Sequence, residues 1–125
     1  MSELELIALL GFHDRGLCSQ YSGLFQDHGY QVDLVPSYEA MLAKIRQRYY
    51  RIIFMDLNLG SPASSDITPA VRVYEAVRDR IESQKAKFLG ISGNTDAVKA
   101  AEERGIPALA KGLIIRKVME FFEIA

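Results

Sequence analysis

The chain has 125 residues, 49% of them apolar and 25% charged, the balance of one soluble globular domain over 1–125 that can bury one core but not two. A net charge of −1 supplies no broad field for nucleic acid or anionic lipid, and no apolar run approaches the roughly 18 residues of a membrane span. The one cysteine, Cys18, excludes an internal disulfide framework and fits a reducing, cytoplasmic setting.

Apolar runs alternate with helical periodicity five times along the chain. Leu4 to Leu10 is short, follows acids and lacks a small-residue cleavage site, so it reads as a strand and not as a leader. Gly11 to Gly16 follows as a loop. Leu17, Tyr21, Leu24 and Phe25 then recur at helical spacing up to a natural stop at Gly29. Tyr30, Val32 and Leu34 alternate as a strand with one wetter face. Ser37 is a candidate N-cap for a helix whose buried stripe is Met41, Leu42 and Ile45.

Arg51 to Asp56 is apolar except at its ends, the pattern of a central strand covered on both faces. The stretch Leu59 to Asp66, with Gly60, Pro62 and three serines, reads as a loop. Asp66 is the expected N-cap of a third helix that tolerates Pro69 in its first turn and buries Ala70, Val73 or Tyr74, Val77 and Ile81. Phe88 to Ser92 is the fourth strand. A helix then follows Asn94-Thr95-Asp96, runs through Val98 and Ala101, and stops at Gly105. The fifth strand, Ala108 to Ala110, runs into Lys111, and Ile114, Ile115, Val118, Met119 and Phe122 mark a last amphipathic helix. Short strands joined by helices require right-handed crossovers and a parallel sheet with helices on both faces. In such sheets the working crevice lies at the carboxyl ends of the strands, where Asp56, Ser92 and Lys111 stand. A carboxylate, a hydroxyl and an ammonium at one sheet edge point to handling of a phosphoryl group.

The order and separation of Phe54-Met55-Asp56-Leu57-Asn58-Leu59, Gly90-Ile91-Ser92-Gly93-Asn94 and Gly105 through Lys111 resemble the receiver domains of two-component response regulators over nearly the whole chain. The resemblance implies a flavodoxin-like (βα)5 fold with sheet order 2-1-3-4-5. It implies no separate enzyme activity beyond slow self-dephosphorylation. Asp56 would accept the phosphoryl group from a sensor histidine kinase or a phosphotransfer protein. Ser92 would hydrogen-bond a phosphoryl oxygen, Gly93 would leave room for the group, and Lys111 would supply a positive charge. Magnesium would be held by Asp56 and the backbone carbonyl of Asn58. The family's acid pair at the end of the first strand falls on Phe12-His13 without a gap, or on His13-Asp14 after a one-residue shift, which leaves Asp14 as the one oxygen ligand there. A downstream protein would dock on the face built from the fourth helix, fifth strand and fifth helix, and a homodimer stays open. Ala108 stands where the family carries an aromatic residue that reports the hydroxyl's state, so coupling to that face is expected to differ. The serine-rich loop after Asp56 is expected to flank the pocket as a contact surface.

Two further readings stay beside this one. The first is a receiver-like module that works by contact without phosphorylation. In the second, Gly11-Phe12-His13-Asp14-Arg15-Gly16 resembles the loop of cobalamin-binding domains, which would make His13 the lower cobalt ligand, with Gly11 in place of its orienting aspartate. A flavodoxin-type flavin loop lacks its run of hydroxyls, and a haloacid-dehalogenase phosphatase would need an acid where Asn58 stands. Lys44, Arg46, Arg48 and Arg51 read as a solvated face, Tyr49-Tyr50 as partial core, and His28 as an exposed helix-end histidine.

Overall fold

The structure is a computed structural model that describes residues 6–112 and 115–124. Leu4, Glu5 and Ile114, assigned above to the first strand and last helix, lie outside the described residues. The elements run β1 (Ile7–Gly11), α1 (Arg15–Asp27), β2 (Gln31–Val35), α2 (Tyr38–Gln47), β3 (Ile52–Asp56), α3 (Thr68–Glu82), β4 (Lys87–Ser92), α4 (Thr95–Glu103), β5 (Ala108–Ala110) and α5 (Ile115–Phe122). All strand pairings are parallel and the sheet order is β2-β1-β3-β4-β5, the expected doubly wound arrangement.

Alternation along the central strands divides the core in two. Leu9, Ile53, Met55 and Phe88 point to the side covered by α2, α3 and α4, through Met41, Ile45, Val73, Val77 and Ala101. Ala8, Leu10, Ile52, Phe54, Leu89 and Ile91 point to the side covered by α1 and α5, through Tyr21, Phe25, Val118 and Phe122. Phe54 is the hub of that second layer, with the rings of Phe12 and Tyr21 edge-on at 4.9 and 4.8 Å. These strands are buried on both faces, which is why they carry no polar residue until they end.

Local signals set the helix limits. Ser37 caps α2 by accepting the Ala40 N–H, and Asn94 caps α4 by accepting from Asp96 and Ala97. The C-terminal turns of α1 and α4 close on Gly29 and Gly105, both at positive φ where a side chain would be strained. The cap expected at Asp66 sits one residue too early. Ile67 is the N-cap of α3 and offers no side chain, while Asp66 accepts the Thr68 N–H from outside the helix at 2.9 Å. Asp66 is held below the ordinary aspartate range by its hydrogen bonds with Thr68.

The alternation expected for β2 also fails. Val35 is its buried residue and Leu34 is 46% exposed, because β2 is an edge strand lying against α1 and α2 at its ends. The tyrosine pair divides sharply: Tyr49 is 69% exposed, its ring under the Arg80 guanidinium at 4.2 Å, whereas Tyr50 is buried. The Tyr50 hydroxyl donates to Asp33 Oδ2 at 2.6 Å, and Arg48 pairs with the same oxygen at 3.1 Å. His28 ends α1 with Nδ1 2.9 Å from the Leu24 carbonyl, the place assigned to it.

Candidate functional site

Three neighbouring strands deliver the predicted trio to one edge. The β3/β4 register sets Asp56 opposite Ile91, β5 continues past Ala110 opposite Ser92, and the Lys111 N–H donates to the Ser92 carbonyl at 2.8 Å. Among the described residues, Asp56 and Ser92 are the buried polar ones, at 2% and 4% exposure. Lys111 Nζ stands 3.0 Å from Asp56 Oδ1. The angles of that approach are not those of a hydrogen bond, so Oδ1 is a buried acceptor held by an ion pair. The other oxygen, Oδ2, accepts the backbone N–H of His13 at 3.1 Å, a contact that no side-chain pattern could announce.

Above the carboxylate lies an open polar cleft of about 550 Å³ lined by Asn58, Ser64, Ser92, Asn94, Thr95 and Lys111. Asp56 does not line the cleft itself; its neighbours Ser92 and Lys111 do. Ser92 Oγ accepts the Asn94 N–H at 3.0 Å, and Asn94 Nδ2 in turn donates to Ser64 Oγ at 3.0 Å. Asn94 and Thr95 are legible in the sequence only as a helix start, and Ser64 only as part of a polar loop. Gly93 also lines the cleft, and a Cβ placed on it meets no protein atom within 4 Å, so glycine there is not required by packing.

The expected magnesium set does not assemble. Asp14 is the N-cap of α1, where Oδ1 accepts from the Gly16 and Leu17 N–H groups at 2.7 and 3.2 Å. The Asn58 carbonyl accepts the Ser61 N–H at 2.8 Å. Phe12, at the other candidate acid position, is buried against Tyr21 and Phe54 and faces the core. Among the described residues no group of three His, Cys, Asp or Glu side chains could hold a metal ion. His13 is exposed, and what it gives the site is its backbone N–H. The nearby Cys18 thiol donates to the Phe12 carbonyl. Burial first, and the Asp56 and Asp14 carboxylates second, push its pKa up, so it stays a thiol at neutral pH. No helix among the described residues is long and apolar enough to cross a membrane.

The strand order and the helices on both faces are those of the CheY-like, flavodoxin-type fold. No protein-family model and no curated protein sequence matches the chain. Solved structures do. A CheY-like response regulator receiver domain protein from Methanospirillum hungatei is 17% identical over 97% of this chain and 92% of its own, with a TM-score of 0.74. A response regulator from Burkholderia pseudomallei, solved with a phosphorylated aspartic acid, a calcium ion and citrate, is 15% identical over 94% of this chain and 66% of its own, at 0.73. The receiver domain of a sensor histidine kinase from Pseudomonas aeruginosa, with magnesium coordinated in its active-site cleft, is 15% identical over 95% of this chain and 98% of its own, at 0.68. At these identities the likeness is one of fold.

Proposed function

We propose that the protein is a two-component receiver that takes a phosphoryl group onto Asp56 from a sensor histidine kinase or phosphotransfer protein and signals by changed protein contacts. The observation that carries the reading is Asp56 Oδ1, a buried carboxylate oxygen with an open lone pair, facing the Lys111 ammonium at 3.0 Å. In the transfer, that lone pair forms the O–P bond while the electron pair of the donor's P–N bond leaves with the imidazole nitrogen, giving an aspartyl phosphate. Lys111 offsets charge on the carboxylate before transfer and on the phosphoryl oxygens after it. The Ser92 hydroxyl, which uses only a lone pair towards Asn94, keeps its proton to donate to a phosphoryl oxygen. Lys111 lines the cleft and reaches Asp56 from it, so a donor entering there meets the ammonium and the carboxylate together. Apart from hydrolysis of its own acyl phosphate, the domain turns over no substrate.

A second reading, an interaction module that is never phosphorylated, is favoured by the engagement of Asp14 as a helix cap. The two readings separate on incubation with acetyl phosphate or phosphoramidate, across a magnesium titration that includes none, followed by intact mass. A single hydroxylamine-labile adduct absent from Asp56→Asn is the expected result. No adduct at any magnesium concentration refutes phosphoacceptance and leaves the module.

A further inference from the structure

Asn94 joins three parts of the site. Its backbone N–H donates to Ser92 Oγ at 3.0 Å, and its side-chain oxygen caps α4 through Asp96 and Ala97 at 2.9 and 3.2 Å. Its Nδ2 reaches Ser64 Oγ at 3.0 Å, 30 residues away in sequence. Ser64 belongs to the segment between β3 and α3, which is braced internally. There the Ser61 N–H donates to the Asn58 carbonyl, the Ala63 N–H to Ser61 Oγ, and the Asp66 N–H to the Ala63 carbonyl, at 2.8, 3.2 and 3.1 Å. Pro62, Ala63, Ser64 and Ser65 are all exposed. Towards β5 the connection is poorer. Ala108, paired with Gly90 in the sheet, offers only a methyl group and cannot follow a movement of Ser92.

We propose that the state of the Ser92 hydroxyl passes through Asn94 to Ser64 and is read out as a rearrangement of the 58–66 loop. The physical cause is hydrogen-bond satisfaction. When Ser92 Oγ turns towards a group on Asp56, the Asn94 N–H loses its acceptor next to a buried site. An orphaned donor there costs as much as a hydrogen bond, so Asn94 moves to recover one. Nδ2 is anchored on Ser64, and the movement therefore strains or releases the loop. Two discrete packings that one event can bias are what a switch requires. The trigger rests on the phosphoacceptor reading, whereas the coupling itself does not.

Hydrogen–deuterium exchange of the whole protein, read by peptide, tests the coupling in wild type, Ser92→Ala, Ser64→Ala and the double variant, with Ser64→Thr as the conservative control. Ser92→Ala removes the acceptor of the Asn94 N–H, and exchange over 59–66 is expected to rise about fivefold, the ratio that one neutral hydrogen bond controls. In the Ser64→Ala background the same change should leave 59–66 unmoved while 94–97 still responds, and Ser64→Thr should restore the link. Loop exchange that ignores Ser92→Ala, or that responds equally with and without the Ser64 hydroxyl, overturns the proposal. In wild type loaded from acetyl phosphate, the 59–66 response should appear with the adduct. An adduct whose effects are confined to 108–122 also overturns it. Failure to form any adduct refutes the phosphoacceptor reading alone, because the Ser92→Ala arm needs no phosphoryl group.

Discussion

Replacing Lys111 by Met removes one ammonium and keeps the aliphatic stem, which isolates the charge that Asp56 faces. The Asp56 side chain is 3% exposed, with a single backbone N–H on Oδ2 and Nζ 3.0 Å from Oδ1, so Lys111→Met leaves a buried carboxylate half-compensated. Breaking a fully buried pair from one side costs about 3–5 kcal/mol, and an exposed pair contributes about 0.2–1 kcal/mol. Here the carboxylate is buried while the Lys111 side chain is 34% exposed and screened by water, which sets the cost between those limits, at about 2 kcal/mol. The same substitution made in Asp56→Asn, where no charge remains to be stranded, should cost under about 0.5 kcal/mol, giving a coupling of about 1.5 kcal/mol. Urea unfolding followed by circular dichroism at pH 7, with an unchanged slope, reads both numbers. Equal costs of Lys111→Met in the two backgrounds would refute the ion pair as the organising interaction of the site.

Asp14→Ala should lower stability by about 1 kcal/mol through loss of the α1 cap while leaving magnesium affinity by calorimetry unchanged, and a roughly tenfold weakening would restore Asp14 as a ligand. A methyl group at Gly90 would land inside the fully buried Leu57 side chain, so Gly90→Ala should cost about 1–3 kcal/mol in urea unfolding, whereas Gly93→Ala, which meets nothing, should be silent. Tyr50 has its phenol pKa raised, by burial first and by Asp33 second. A raised folded pKa means that its contribution is fully present below the unfolded tyrosine value of about 10 and is lost as pH rises beyond it. Melting temperature should therefore fall above that pH in wild type. The fall should be smaller in Tyr50→Phe, which keeps the shares due to Tyr21 and Cys18, both raised by burial first. Parallel curves for the two proteins would remove Tyr50 from the explanation.

Continuous apolar runs make the sheet readable, because strands such as Ile52–Asp56 are covered on both faces and can carry polarity only where they end. That single rule locates Asp56, Ser92 and Lys111 from the sequence. Asp14 is ambiguous in sequence because an acid next to a strand end suits two demands equally well, a metal's and a helix N-terminus's. The fold shows it serving the second, through the Gly16 and Leu17 N–H groups on Oδ1. The His13 contact cannot be read at all, since it uses a backbone N–H that every residue but proline possesses. Ser64 is visible only as loop polarity, because its partner is set by folding and not by spacing. Leu34 departs from expectation where an edge strand relaxes the alternation that buries one face.

The brevity of β5 has a consequence in time. Lys111 reaches Asp56 only after three residues at the rim of the sheet have docked on β4, and those residues are synthesised long after the carboxylate that awaits them. A nascent chain extending only through β4 already has the strands that would bury Asp56 and has nothing to neutralise it. Loss of the three β5 pairs would therefore cost more than their own hydrogen bonds, because it would also carry the Lys111 charge away from Asp56.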